Sequence, residues 1–243
     1  MLSKNQIKHI VRLKQKKYRQ QEGLFVAEGV KVIEELLESS LELVHIYSVK
    51  HLNYDEQKET LISEAELKKI SFLTTPNQAL AVFKIPTLKG VDLSELVVAL
   101  DDVRDPGNLG TIIRLCDWFG IKDLICSKAT VDCYNPKVIQ ATMGSIARVN
   151  ISYLDLESFL KDVNVPVFGA FMEGDNVYGQ SLPRKGVLVM GNEANGISEG
   201  VEETVTSKLT IPRFGQLQAT ESLNVATATA ILLSEFKRRS IEM

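Results

Sequence analysis

The sequence predicts an α/β protein: a C-terminal, mostly parallel sheet with helices on both faces, preceded by a small α/β domain. Three observations carry that expectation. Residues 91–243 alternate short continuous apolar runs with helical stretches, the pattern of strands buried on both faces by crossover helices. Pro86-Thr87-Leu88-Lys89-Gly90 punctuates the chain just before this alternation begins. The first 90 residues mix helical and alternating apolar periodicity. Two domains are therefore expected, 1–90 and 91–243, and a chain of 243 residues is long enough for both.

In the first domain, Ser3-Lys4-Asn5-Gln6 has the form of a capping box, and Ile7, Ile10, Val11 and Leu13 follow at near-helical spacing. Lys4, Lys8 and Arg12 lie four apart and share one helix face. Gly23 ends this stretch. A second helix is expected over 28–37, a strand from Leu43 to Ser48, a short helix over 64–69, and strands over 70–73 and 79–85. In the second domain the expected strands are 96–100, 124–127, 149–153, 167–171, 187–190 and 209–211. The expected helices are 109–119, 136–143, 156–163 and 223–239.

A 44% hydrophobic and 24% charged composition excludes wholesale disorder. Apolar runs such as Leu96 to Leu100 are far short of the roughly 20 residues that span a bilayer. No apolar stretch follows the charged N-terminus, so no secretory signal is expected. Cys116, Cys126 and Cys133 have no C-x-x-C spacing, so neither a disulfide framework nor a metal is expected, and a reducing cytoplasm is the natural compartment.

The charge is uneven. Residues 1–90 hold 14 Lys+Arg against 11 Asp+Glu; the remainder holds 14 against 20. Residues 1–20 carry seven basic side chains and no acidic one. All three histidines (His9, His45 and His51) lie in the first domain, so chemistry in the second proceeds without one.

Ligand sites of parallel sheets lie outside the carboxyl ends of the strands. Three polar segments follow expected strands there. The first, Asp105-Pro106-Gly107-Asn108-Leu109-Gly110, runs into Thr111-Ile112-Ile113-Arg114. Asn108 suits an N-cap. Arg114 falls on a helix packed on the sheet, where a buried guanidinium would need a partner; arginine suits bidentate phosphate recognition. The second is Gly191-Asn192-Glu193-Ala194-Asn195-Gly196. No Lys-Ser/Thr follows it, and no G-x-G-x-x-G occurs in the chain, which argues against nucleoside-triphosphate and nicotinamide loops. The third joins Ile211-Pro212 to Glu221-Ser222-Leu223-Asn224-Val225-Ala226. The small residues Ala226 to Ala230 then allow close approach of another backbone, within the chain or between subunits. Trp118 and Cys116 read as packing residues.

In this order and spacing, the three segments resemble the SpoU (TrmH-like) branch of the SPOUT RNA methyltransferases. Pro136 to Gly144, within Tyr134 to Ser145, is similar to the family's connecting segment. Gly23, Phe25, Glu28 and Gly29 resemble its ribosomal-protein-like substrate-binding domain. The resemblance implies a deep trefoil knot in the second domain, a homodimer, and transfer of a methyl group from S-adenosylmethionine to a ribose 2′-hydroxyl. The RNA would be ribosomal; the alternatives are transfer RNA and a non-catalytic RNA-binding protein of the same fold. Carried over residue by residue, Gly191, Asn192, Ile211, Leu223, Ala170 and Phe171 would contact the cofactor. Arg114 would be catalytic, with Asn108, Glu193, Ser222 and Asn224 around it. Lys4, Lys8, Arg12, Lys14, Lys16, Lys17 and Arg19 would meet RNA phosphates. No membrane or metal partner is implied.

Overall fold

The protein is described from a computed structural model that covers residues 1–215 and 222–241. The chain divides into two compact units, 1–87 with 132–147, and 88–131 with 148–243. The segment 132–147, which lies between two strands of the second unit in sequence, thus packs with the first.

The first unit opens with α1 (Lys4–Arg12) and α2 (Lys16–Glu22). Ser3 and Gln6 form the expected capping box. Gly23 closes α2 in the left-handed region at φ 64°, which costs a residue without Cβ little. Next come β1 (Leu24–Glu28), α3 (Val30–Leu37), β2 (Leu43–Ser48), β3 (Glu59–Leu61), α4 (Glu64–Ile70) and β4 (Ala79–Lys84). The sheet order is β1-β4-β2-β3, antiparallel except for the β2–β3 pair.

Two expectations are corrected here. Residues 24–28, unassigned from the sequence except for Glu28 at the expected helix start, are a strand, because Phe25, Val26 and Ala27 are buried and pair with β4. Residues 71–73 are not a strand; Glu28 accepts hydrogen bonds from Ser71 and from the Phe72 backbone, which fastens that turn to β1. Burial holds the Glu28 carboxyl above its ordinary range, partly offset by these two donors.

Leu2, Ile10, Leu13, Val26, Ile70 and Leu80 form the core between the N-terminal helices and the sheet. Phe25 stacks on Phe83 and meets Tyr134, whose segment continues into α6 (Pro136–Thr142), packed on β1.

Arg19 is the third correction. Its side chain is only 3% exposed, donates to the Leu13 and Lys14 carbonyls, and ion-pairs with Asp132. It cannot meet RNA from that position. Arg12 is half-buried, pairs with Glu22 and lies over the Tyr18 ring, so it too is engaged. Lys4, Lys8, Lys14, Lys16 and Lys17 are exposed.

The second unit contains β5 (Leu96–Leu100), α5 (Pro106–Trp118), β6 (Asp123–Ser127), β7 (Asn150–Leu154), α7 (Leu156–Lys161), β8 (Val167–Asn176), β9 (Gly186–Met190), α8 (Glu199–Glu202), β10 (Ser207–Thr210) and α9 (Val225–Ile241). Its six strands run in the order β10-β8-β9-β5-β6-β7, all parallel where a mostly parallel sheet was expected. Val97, Ala99, Val167, Val187 and Val189 on one face pack with Leu156 and Leu160 of α7 and Val201 of α8. On the other, Phe168 meets Phe236 of α9 edge-on, and α9 packs on α5. Cys116 is fully buried in α5, and burial pushes its thiol up. No helix among the described residues is long and apolar enough to cross a membrane.

Breaking a buried ion pair strands the surviving charge and costs about 3–5 kcal/mol. Arg19→Ala should therefore lower the urea midpoint clearly, whereas Lys14→Ala should leave it unchanged within error. Equal midpoints for the two variants would put Arg19 at the surface.

Candidate active site

β5 and β9 are neighbours, but their chains leave in opposite directions. β5 leads through α5 to β6; β9 leads past β8 to β10. Such a divergence opens a crevice at the carboxyl ends. A cavity of about 1390 Å³ lies at the ends of β8, β9 and β10.

β8 forms one wall through an irregularity. It pairs with β10 at Phe168 and Gly169, then again only at Asp175 and Asn176. Residues 170–174 bow out between the two registers, and Thr210 Oγ1 ties the bow down by donating to the Met172 carbonyl at 3.0 Å. Ala170, Phe171, Met172 and Glu173 thereby line the cavity. Lys208 lines it as well, 4.8 Å from the Phe171 ring centre and paired with Glu202 at 2.5 Å.

The loop after β9 forms the second wall. Asn192 and Gly196 exchange backbone hydrogen bonds at 2.9 and 2.8 Å. Asn192 Oδ1 accepts from Ala194 N at 2.8 Å and Asn195 N at 3.1 Å. A Cβ on Gly191 would sit 2.3 Å from the Gly196 carbonyl carbon, so only glycine allows this closure. The segment 210–215 and the start of α9 complete the enclosure with Ile211, Phe214, Ser222, Leu223 and Val225.

A polar chain joins this loop to two helix starts. Asn224 caps α9, its Oδ1 accepting from Ala226 N and Thr227 N at 3.0 and 3.2 Å. Its Nδ2 donates to Asn108 Oδ1 at 2.8 Å, and Asn108 Nδ2 donates to Glu193 Oε1 at 2.5 Å. One amide thus relays between two elements and orients a carboxylate at the cavity.

All six residues matched to cofactor contact line this cavity: Gly191, Asn192, Ile211, Leu223, Ala170 and Phe171. Glu193 and Ser222 line it too, and Asn108 and Asn224 connect through Glu193. Glu221 of the third motif lies outside the described residues.

Three expectations change. Asn108 is not the N-cap of α5; Asp105 is, accepting from Asn108 N at 2.8 Å, because Pro106 starts the helix without needing an N–H donor. Arg114 is not buried: it is exposed on α5, makes no hydrogen bond or ion pair among the described residues, and does not line the cavity. Trp118 does not pack; it is 84% exposed, one helical turn beyond Arg114 on the same face. Sequence reasoning missed Glu173 and Lys208, because the register break that brings them in leaves no periodic mark. Phe214 and Val225 flank recognised motif residues and were within reach of it.

The fold and cavity define a class: an α/β ligand-binding enzyme fold whose site is built from strand-end loops and lacks histidine. Comparison with known proteins narrows this. Residues 95–234 match the SpoU rRNA Methylase family and residues 4–81 match an MRM3-like substrate binding domain. The chain belongs to the SpoU rRNA methylase family. It is 32% identical, over 95% of its length and 96% of the relative's, to the 23S rRNA (guanosine(2553)-2′-O)-methyltransferase RlmP of Bacillus subtilis. Its structure is similar to that of a TrmH-family protein from Porphyromonas gingivalis, with TM-score 0.89 and 38% identity, covering 98% of this chain and 99% of the other. It is also similar to an AdoMet-bound rRNA methyltransferase from Sinorhizobium meliloti, with TM-score 0.86 and 29% identity over 98% and 96% of the two chains.

The double role of Asn224 can be separated. Asn224→Ala removes the cap and should cost about 1 kcal/mol in a denaturation curve. Asn224→Asp retains the cap and should restore most of that loss while still lacking the donor to Asn108. Equal destabilisation by both would mean the cap contributes nothing.

Proposed function

We propose that this protein methylates a ribose 2′-hydroxyl of ribosomal RNA, with S-adenosylmethionine held in the cavity at the ends of β8, β9 and β10. The observation that carries the reading is the convergence on one cavity of all six residues that the resemblance assigns to cofactor contact. The cavity suits such a ligand. Gly191 and Gly196 expose backbone, Ile211, Leu223 and Val225 supply apolar contact, and the lining carries both signs of charge, Glu173 and Glu193 beside Lys208 and Arg213, which suits a ligand that carries both. When bound, the cofactor supplies an already activated methyl group.

What remains for the protein is alignment and charge. Holding two reactants in register is worth several kcal/mol. Glu193, fixed by the Asn108 amide, and Ser222 orient the ribose at the cavity mouth. Arg114 is exposed, makes no hydrogen bond among the described residues, and carries five N–H donors in the planar fork that clamps a phosphodiester. Guanidinium keeps its proton in proteins, so Arg114 stabilises the developing alkoxide, and the RNA phosphate or a water takes the hydroxyl proton.

The exposed Lys4, Lys8, Lys14, Lys16 and Lys17 supply sequence-independent attraction for the RNA backbone. The protein acts as a homodimer in the cytoplasm. The homodimer is supported by the bare indole of Trp118 on α5, which a second copy would cover. The compartment is supported by three buried cysteines held as thiols rather than as a disulfide. Threading of the C-terminal segment as a trefoil knot belongs to the same reading.

Arg114→Ala should reduce turnover by about 10² or more while leaving S-adenosylmethionine affinity within twofold of the parent. Arg114→Lys should rescue little, since a point charge does not reproduce a planar fork. Methyl transfer from labelled cofactor to total RNA, mapped at alkali-resistant riboses, measures this; near-normal transfer by Arg114→Ala rejects the assignment. Replacing Lys4, Lys8, Lys14 and Lys17 by alanine should weaken RNA binding and flatten its salt dependence, by about 0.7 in logarithmic slope per lost contact to single-stranded RNA. An unchanged slope would put the RNA elsewhere.

A further inference from the structure

We propose that Asp101 is the positioning residue of the methyl-transfer site, holding the loop after β9 in its ligand-receiving form without touching the ligand. The inference rests on the reading of the cavity as the cofactor site.

The parallel pairing of β5 and β9 ends at Leu100 and Met190, with one last backbone bond from Asp101 N to Met190 O at 2.9 Å. Beyond it the two chains separate, yet side chains tie them together again. Asp101 is 6% exposed, and its Oδ2 accepts from both Ser198 N at 2.8 Å and Ser198 Oγ at 2.6 Å. A carboxylate is acceptor-only, which suits two donors converging from one residue. At the other end of the loop, Asn192 Nδ2 donates to the Asp102 carbonyl at 2.7 Å.

The loop is thus fastened at both ends to consecutive residues at the β5 exit. That anchor is itself rigid. Asp102 sits in the left-handed region at φ 57°, where a non-glycine residue persists only if held. Its N–H donates to Ser127 Oγ at 2.9 Å, and its carboxylate receives two bonds from Arg104, each 2.7 Å.

Neither Asp101 nor Ser198 lines the cavity, whereas Glu193, Ala194, Gly196 and Ile197 between the two ties do, as do the tied Asn192 and the Gly191 before it. Glu193, on the same loop, reaches Asn108. Releasing the Ser198 end would therefore free one cavity wall and the carboxylate that the polar chain orients. Supporting groups of this kind set the precision of a site they never contact.

The test uses the full-length protein, calorimetric titration with S-adenosylmethionine, and steady-state methylation. Asp101→Ala leaves two Ser198 donors without an acceptor and should raise Kd and the cofactor KM about tenfold or more. Asp101→Asn keeps a carbonyl oxygen in place and should remain within about threefold of the parent. A role limited to fold stability would lower the melting temperature and leave Kd and KM of the folded protein unmoved. A folded Asp101→Ala protein with Kd within twofold of the parent overturns the proposal.

Should Asp101→Ala fail to fold, Ser198→Ala decides. It loses the hydroxyl donor but keeps the backbone one, and a threefold or greater rise in Kd is expected; a parental Kd overturns the proposal. Leu223→Asp, a change in the cavity wall, separates the two levels of the reading. If it abolishes binding while Asp101→Ala does not, only the positioning role falls. If it binds normally, the cavity is not the cofactor site and both readings fall.

Discussion

Parallel strands cannot be joined by tight turns, and the second unit is built around that restriction. Because β5 and β9 pair in parallel, side by side, their carboxyl ends emerge together and their continuations must part. Much of the site gathers around this parting, while Ala170 and Phe171 reach the cavity from β8 and Ile211 from beyond β10. The loop after β9 closes on itself, the start of α5 reaches it through Asn108, and the start of α9 reaches Asn108 through Asn224. A buried carboxylate at the last shared position then re-ties the separated chains. The cavity is a consequence of strand order before it is a consequence of any single side chain.

The chemistry assigned to it fits that construction. A sulfonium methyl donor needs little covalent help, so a site made of fixed amides, one oriented carboxylate and exposed glycine backbone is enough. The absence of histidine from residues 91–243 is consistent with such a task. Arg114, the cation proposed to meet the RNA, is kept apart on α5, where it is exposed to solvent. Arg19 shows the opposite arrangement: equally basic in sequence, it is consumed by two carbonyls and Asp132 inside the first unit.

The strands of the second unit were legible because burial on both faces forces continuous apolar runs, and six of them sit within a few residues of the expected bounds. In the first unit, β1 went unassigned apart from Glu28, which was joined to the expected helix, since the run 24–28 is short and abuts the periodic residues of α3. Apolar content there could not say whether the chain was extended. The motif residues around the cavity were legible for another reason. Turn chemistry at Asp105-Pro106 and Gly191 is local, and the resemblance supplied their order.

Local chemistry in the sequence determined the capping box at Ser3, the left-handed stop at Gly23, the parallel α/β class and the glycine-bounded loop, because each depends on neighbours a few residues away. Only the tertiary structure decided that Arg19 is buried and Arg114 exposed, that residues 170–174 bow out against β10, and that Asp101 meets Ser198. Those facts depend on pairing between residues distant along the chain. Side-chain type alone carries no record of which distant partner will be there.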